Sequence, residues 1–331
     1  MKNFVKHINL FFAIAAIVLL LFVAIDFFKV FKSYEDVYAD NFVGLNRGLI
    51  TYSLYEKNKE KTPYNAFILG NSRSQAFKCK DWSSHLPAKA LPFHFDANAE
   101  SIYGIATKLE YLQESGASID FALLVIDQVL LEKTNDNPSH LFIGPPEITK
   151  QSYISFYSAF LRASLNPQFI VAYLDYKLTK KYKPYMSNLI VKSKYPYTMD
   201  PETGDLYYGN DREIQEDSAA YYNDKVASGT FYKRPIRELK SLEVTDLEKR
   251  YLKSIRDVFE SANTQYKIVI SPKFDQIPLN DGQLALLQSY FGKENIYNFS
   301  GKNDLSTPIS NFYETSHYRP KVAKSIMQEI Y

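Results

Sequence analysis

A single cysteine, Cys79, leaves the chain unable to form an internal disulfide or a cysteine-based zinc site. Histidine is almost as scarce. The five (His7, His85, His94, His140 and His317) fall at no metal-ligand spacing, so neither a metal nor another cofactor is expected. No charge of one sign dominates: 39 basic and 37 acidic residues are spread along the chain, for a net charge of +2. The concentrated basic stripe that nucleic-acid binding needs is therefore missing. Glycine is sparse, at 12 in 331 residues, and Gly70-Asn-Ser-Arg-Ser74 lacks the glycine-rich cradle of a nucleotide-phosphate loop. Internal repeats and low-complexity segments are also absent from the sequence. What is abundant is aromatic: 27 Tyr and 23 Phe. These either fill cores and half-exposed positions or build a surface that stacks on sugar rings, and composition leaves both open. The length suits one large α/β domain or a domain with a sizeable insertion.

Ile8 to Ile25 is a run in which Asn9 is the only strongly polar side chain, long enough to cross a bilayer core. Its apolar residues surround the helix on all sides instead of forming a stripe, which argues against a buried amphipathic helix. A cleaved signal peptide needs a small-x-small site. The run instead continues into Asp26-Phe27-Phe28, and Val37-Tyr38-Ala39 is a poor match. The expectation is an uncleaved single-pass anchor in the inner (cytoplasmic) membrane, with the chain beyond about residue 30 outside the cytoplasm. Lys2 and Lys6 before the run agree with that orientation, while Lys29 and Lys32 after it weaken the bias.

Beyond a polar linker over 31–62, short apolar runs alternate with helical patterns. Ala66–Leu69, Pro92–Phe95, Phe121–Ile126, Tyr266–Ile270 and Asn295–Phe299 read as strands buried on both faces. Between them, Ile105, Leu109 and Leu112 mark one helix. Thr245-x-x-Glu248 is a capping box for a second. Leu284, Leu287 and Phe291 mark a third, stopped by Gly292, and Pro320 opens the last. This alternation predicts a doubly wound parallel sheet built from 63–133 and 245–331, interrupted by an insertion over 134–244. Residues 1–30 form the cytoplasmic tip and anchor. In such sheets ligands bind beyond the carboxyl ends of the strands. The residues expected there are Asn71-Ser72-Arg73 after the first strand and Asn98 and Ser101 after the second. Asp127 follows the third, Lys273 the fourth, and Glu314-x-x-His317 the fifth.

Those residue types define a chemistry. A serine hydroxyl becomes a nucleophile when a base takes its proton and a third group orients the base. Ser72 follows a strand and is expected to open a helix, whose free N–H groups would bind an oxyanion. His317 is the one histidine expected at this rim, and Glu314 stands three residues before it. Each feature alone is common. Their convergence on one sheet edge points to an active site.

Ile68-Leu-Gly-Asn-Ser-Arg-Ser74 resembles the first conserved block of the SGNH/GDSL hydrolases, and Asn311-Phe-Tyr-Glu-Thr-Ser-His-Tyr-Arg-Pro320 resembles their last. Phe95–Gly104 stands where the second block belongs. The resemblance covers about residues 64–133 and 245–331 and is nearest to membrane-anchored members associated with cell-envelope polymers. It implies a flavodoxin-like three-layer α/β/α sandwich, with Ser72 as nucleophile, His317 as base and Glu314 as acid. It further implies acyl-ester hydrolysis or acyl transfer on an envelope polysaccharide or acylated small molecule, with a membrane-bound acyltransferase as partner. The alternative is a non-catalytic binding or scaffold protein of a glycan-modifying complex. Several positions depart from the family pattern. Asn71 replaces Asp, the second block lacks its glycine beside Asn98 and Ser101, and Asp127 stands near the strand end that lacks the third block's Asn. Arg73 and Lys273 complete the expected rim. In the insertion, which holds 13 of the 27 tyrosines, Tyr182, Tyr185, Tyr195, Tyr197, Tyr207 and Tyr208 are expected to meet sugar rings. Lys177, Lys180, Lys181, Lys183, Lys192 and Lys194 are expected to meet anionic groups.

Overall fold

The computed structural model describes residues 2–234 and 244–331, so the end of the expected insertion, 235–243, lies outside the described residues. Seven strands occur among them: β1 (Ala66–Gly70), β2 (Pro92–His94), β3 (Phe121–Ile126), β4 (Thr198–Met199), β5 (Leu206–Tyr207), β6 (Gln265–Ile270) and β7 (Ile296–Asn298). Five of these make one parallel sheet in the order β2-β1-β3-β6-β7, while β4 and β5 pair antiparallel as a separate ribbon. The order puts β2 at one edge and β3 at the middle, so from β1 the chain winds first to one side and then outward on the other through β3, β6 and β7.

The strands are apolar at successive positions because both faces are covered. Phe67 and Leu69 of β1 with Ala122, Leu124 and Ile126 of β3 join one cluster, which includes Leu109, Ile255 and Phe291 from flanking helices. Ala66 and Ile68 with Leu123 and Val125 join the other, which includes Trp82, Val322 and Ile326. Each fully buried side chain of this size contributes about 1.5–3 kcal/mol of transfer free energy. The covering helices begin where the sequence signals them. Thr245 Oγ1 accepts from the Glu248 N–H (3.2 Å) and the Glu248 carboxylate from the Thr245 N–H (2.7 Å), closing the box before helix Asp246–Ser261. Pro320 opens the helix ending at Ile330, and Gly292 follows the one ending at Phe291.

Helix Lys2–Ile25 is long and apolar enough to cross a membrane, and it is almost entirely exposed. The chain after it is not a free linker. The Asp26 carboxylate accepts from the N–H groups of Val30 (2.7 Å), Phe31 (3.1 Å) and Lys32 (3.1 Å) and from the Tyr34 hydroxyl (2.9 Å). Phe28, Val43 and Leu45 are buried in a third apolar cluster with Phe160, Phe169 and Met186. The stretch 31–62, expected to be a linker, also holds helix Arg47–Asn58. Its Asn46 cap accepts from the Leu49 N–H (2.9 Å), and Leu54 and Tyr55 belong to the main core. The linker expectation is corrected because the polar composition of this stretch concealed an amphipathic helix.

Arg47, the first residue of that helix, is fully buried. Its guanidinium grips the carboxylate of Asp96, just past β2, with Nε–Oδ1 at 2.9 Å and Nη2–Oδ1 at 2.7 Å, and it also donates to the Gly204 carbonyl in the turn between β4 and β5. Burial pushes the Asp96 pKa up. The charges of Arg47 and His94 and hydrogen bonds from Arg47 and Gln75 outweigh that, and the net shift is downward. A carboxyl with a depressed folded-state pKa gives stability that is fully present above its unfolded value. That stability is lost as pH falls through the folded value.

Removing one partner of such a pair leaves the other charge buried. Asp96→Asn is therefore expected to cost about 3–5 kcal/mol near neutral pH. Chemical denaturation across pH should also show a shallower acid-induced loss in the variant, starting from about pH 4. Parallel acid profiles for parent and variant would contradict the assignment.

Candidate functional site

β1 ends on Gly70, whose position allows no side chain: a Cβ there would collide with the Val125 carbonyl oxygen of β3. The next residue, Asn71, starts a tight turn. Its side-chain Oδ1 accepts from the Arg73 N–H (3.0 Å), and its carbonyl accepts from the Ser74 N–H (2.8 Å) and hydroxyl (2.8 Å). The turn continues into a 3-10 segment, Ser74–Ala76, and not into the α-helix expected to open at Ser72. Side-chain competition from Asn71 and Ser74 for local backbone groups accounts for this. Ser72 is left at the apex, half-buried, facing a cleft of about 590 Å³.

His317 reaches the same apex from the other end of the chain. Phe312 and Tyr318, both buried, form an antiparallel bridge, and the Tyr313 N–H donates to the His317 carbonyl (2.9 Å), closing a loop over 313–317. Tyr318 lies 3.2 Å from the Ser271 hydroxyl past the end of β6, which ties that loop to the sheet. Within it, Glu314 Oε2 accepts from the Ser316 N–H (2.7 Å) and Oε1 bonds His317 Nδ1. His317 Nε2 then meets Ser72 Oγ at 2.7 Å. Burial raises the Glu314 pKa. The hydrogen bond and charge of His317, with the Ser316 and His317 N–H groups, outweigh it and hold the carboxyl below its ordinary value. An ionised Glu314 fixes the proton on Nδ1 and leaves Nε2 free to accept from the serine hydroxyl.

The expected rim residues divide. Asn71, Ser72, Arg73, Asn98, Glu314 and His317 line the cleft. Asp127 is buried behind it. It pairs with Arg73 Nη1 (2.7 Å), takes the Asn71 amide and accepts from the Leu130 N–H (3.2 Å). Burial raises its pKa, but these partners, Arg73 foremost, bring it below normal. Its charge is thus spent on Arg73 and directed away from Ser72. Two expectations are corrected. Ser101 caps helix Ile102–Glu114 by accepting from the Gly104 N–H (2.9 Å), and Lys273 pairs with Asp275 (3.0 Å); neither lines the cleft. At Ser101 the capping requirement of the next helix wins the side chain.

Oxyanion donors are few. Among the described residues, no hydrogen bond occupies the Ser72 N–H or the Asn98 amide nitrogen. The amide orientation follows from charge. Asp96 can only accept, so Gln75 turns Nε2 toward it (2.6 Å) and its Oε1 toward the Tyr208 hydroxyl. That nitrogen also reaches Asn98 Oδ1 (3.1 Å), which leaves the Asn98 NH₂ for the cleft. Beside it Ala99 holds a left-handed backbone with φ 52°. The strain of that conformation, about 1–2 kcal/mol, sits at the cleft wall.

Several wall residues carried no sequence signal. Tyr38, Val43 and Leu45 come from the presumed linker, and Lys133 and Lys225 are cleft cations. Of the six insertion tyrosines, Tyr197 and Tyr208 face the cleft, with the Tyr208 ring 5.9 Å from that of His317. Tyr185 bonds Asp175, Tyr195 bonds Glu216, and Tyr207 lies under Lys78. Lys177, Lys180, Lys181, Lys183, Lys192 and Lys194 do not line the cleft, so the insertion's cleft cation is Lys225 instead. No family model matches the chain, and no curated protein matches it.

A second chain of the same residue types lies beneath: Ser74 Oγ to His94 Nε2 (3.0 Å), and His94 Nδ1 to Asp205 Oδ1 (3.0 Å). All three side chains are sealed from solvent, and the Ser74 hydroxyl already donates to the Asn71 carbonyl. This chain pins β2 to the turn before β5. His94→Ala leaves buried polar atoms unpaired and should lower stability by about 2–4 kcal/mol. His317→Ala, at a cleft wall, should change it by about 0.5 kcal/mol or less. Unfolding midpoints of the two variants measure the contrast, and the reverse order would exchange the two roles.

Proposed function

We propose that the chain is a membrane-anchored serine esterase or acyltransferase of the SGNH/GDSL-like type. The observation that carries this reading is the hydrogen-bonded series Ser72–His317–Glu314 at the wall of an open cleft. Ser72 Oγ attacks the carbonyl carbon of an acyl ester while His317 Nε2 takes the hydroxyl proton, and the Ser72 N–H and the Asn98 amide face the developing oxyanion. His317 returns the proton to the departing alkoxide, leaving an acyl ester on Ser72. Water or a sugar hydroxyl then gives its proton to His317 and attacks that ester; the bond from the acyl carbon to Ser72 Oγ breaks and His317 returns the proton to Ser72, so hydrolysis and transfer differ only in the second nucleophile.

The sheet order and the helices on both its faces support a flavodoxin-like sandwich, with 134–244 as an insertion bearing Tyr197 and Tyr208. The apolar helix supports anchoring in a membrane; the inner membrane, with the cleft outside the cytoplasm, is the placement that Lys2 and Lys6 before the helix favour. An envelope glycan fits a cleft with aromatic walls and two lysines, and a membrane-bound acyltransferase fits as the source of acyl groups. One observation favours a second reading, a non-catalytic glycan-binding scaffold. The Asn71 amide is committed to Asp127, and the 3-10 turn is too short to add helix-end donors.

A fluorophosphonate probe applied to the full-length protein in detergent separates the two. Labelling that disappears in Ser72→Ala is expected, whereas an unlabelled parent that still binds glycan would establish the scaffold. On an ester substrate, Ser72→Ala and His317→Ala should each lower turnover by about 10⁴-fold or more, with the double variant no worse than either. Glu314→Gln should retain more activity than either, since it loses only orientation and charge.

A further inference from the structure

Helices Tyr153–Ser164 and Pro167–Thr179 follow one another through Leu165 and Asn166, and this helical hairpin is apolar on two faces. The inner face is ordinary: Phe156, Phe160, Phe169 and Ala172 are buried in the third cluster. The outer face is not. Val171, Leu174 and Leu178 repeat at i, i+3 and i+7, all exposed, and Leu178 is 84% exposed. Ile154 on the companion helix is 82% exposed, and Leu165 is exposed at the turn between the helices. Water gives no reason to display a stripe of this kind.

The hairpin's position says what covers it. Immediately past the apolar helix, Phe27 packs on Phe169 (5.5 Å between ring centroids) and Tyr173 (4.7 Å), Phe28 stacks on Phe169 (5.1 Å), and Phe31 stacks on Tyr157 (5.4 Å). These rings follow Ile25 by two to six residues, so the hairpin sits at the level where a spanning helix leaves the hydrocarbon. The charge pattern agrees. Lys177, Lys180 and Lys181 edge the stripe, and among the described residues none has a carboxylate within ion-pair distance, while Lys183 pairs with Asp175 (2.7 Å). Exposed apolar residues beside a cationic edge are what a helix lying in a headgroup layer presents.

We infer that the 153–179 hairpin is a second membrane contact, seated on the bilayer surface beside the anchor with Val171, Leu174 and Leu178 dipping below the headgroups. The inference rests on the anchoring read from the apolar helix, and it goes beyond it. A single span lets the folded body swing, whereas a span and a surface helix joined by packed rings fix its tilt.

The test uses the full-length protein in nanodiscs of phosphatidylcholine with about a third phosphatidylglycerol. The variants Leu174→Cys, Leu178→Cys, Leu20→Cys and Val226→Cys each carry an environment-sensitive fluorophore on the new thiol, Cys79 being buried. All four parent side chains are exposed, so the labels displace no core. Lipid spin-labelled on its acyl chain should quench the Leu20, Leu174 and Leu178 labels about two-fold or more and leave Val226 unaffected. Aqueous iodide should show the opposite order. Quenching at Leu20 with Leu174 and Leu178 behaving like Val226 would overturn the hairpin contact and leave the anchor standing, the stripe then being free for a protein partner or a second copy. Loss of quenching at Leu20 as well would overturn both. Leu174→Asp with Leu178→Asp, read through a label at Ile154→Cys, should abolish lipid quenching there. Undiminished quenching would also count against the contact.

Discussion

Four separate parts of the chain meet at the buried pair of Arg47 and Asp96, the end of β2 being one of them. Arg47 brings the helix that follows the anchor segment, Gln75 brings the turn carrying Ser72, and Thr51 donates to the Asp96 carbonyl (2.9 Å). The Gly204 carbonyl, on the other side of Arg47, brings the β4–β5 ribbon. Two fully buried opposite charges are a poor source of net stability compared with apolar packing, because each loses its hydration. What such a pair supplies is direction. Asp96 accepts only and Arg47 donates only, so every amide and hydroxyl attached to them has one allowed orientation. Through Gln75 that order reaches Asn98 on one side and the Tyr208 phenol on the other. Burial first, then Tyr197 and Asp96, raise the Tyr208 pKa well above its normal value, so it stays a neutral donor beside His317.

The two Ser–His–carboxylate series separate what residue types permit from what surroundings allow. Ser74, His94 and Asp205 have the spacing of a proton relay, yet no substrate atom can approach them and the serine proton is already committed. Ser72, His317 and Glu314 have the same connectivity with the hydroxyl at a cleft wall. The difference arises within three residues. Gly70 lets β1 pass close to β3, and Asn71 turns the chain so that Ser72 points out and Ser74 points in. In the proposed chemistry the nucleophile is made by that turn as much as by the histidine.

The strands were legible because apolar runs bounded by polar turns have few other uses, and all five parallel strands fall within a residue or two of their expected places. Ser72, Glu314 and His317 were legible for a related reason: chemistry at a sheet edge needs rare residue types at strand ends. The errors have a common cause. Ser101 and Lys273 stand at the correct strand ends, but side-chain direction there is decided by near neighbours, the N–H of Gly104 in the helix that Ser101 caps and the carboxylate of Asp275 two residues beyond Lys273. The linker reading of 31–62 failed at Asn46 and Arg47. Asn46 is a helix cap followed by apolar residues at helical spacing, a signal present but obscured by Lys and Glu on the exposed face. A fully buried arginine has no sequence signature, since its partner lies 49 residues away.

Because that segment is folded, the apolar helix and the cleft are mechanically one piece. Val43 and Leu45 line the cleft and also belong to the apolar cluster that holds Phe28, Phe160 and Phe169. The Val191 N–H donates to the Phe42 carbonyl (2.9 Å), and Val191 lines the same cleft. A displacement of the aromatic rings just past the apolar helix is therefore a displacement of the cleft wall, since packed side chains transmit strain over such short paths. On a flexible tether, a cleft samples substrate from solution at any height above its attachment. If the apolar helix spans a membrane as proposed, a cleft whose wall is continuous with the first residues past that helix has a fixed height and facing, and the substrates proposed for it are those carried at that level. The Asp26 turn makes this possible: four donors converging on one carboxylate stop the chain from running on as an extended linker.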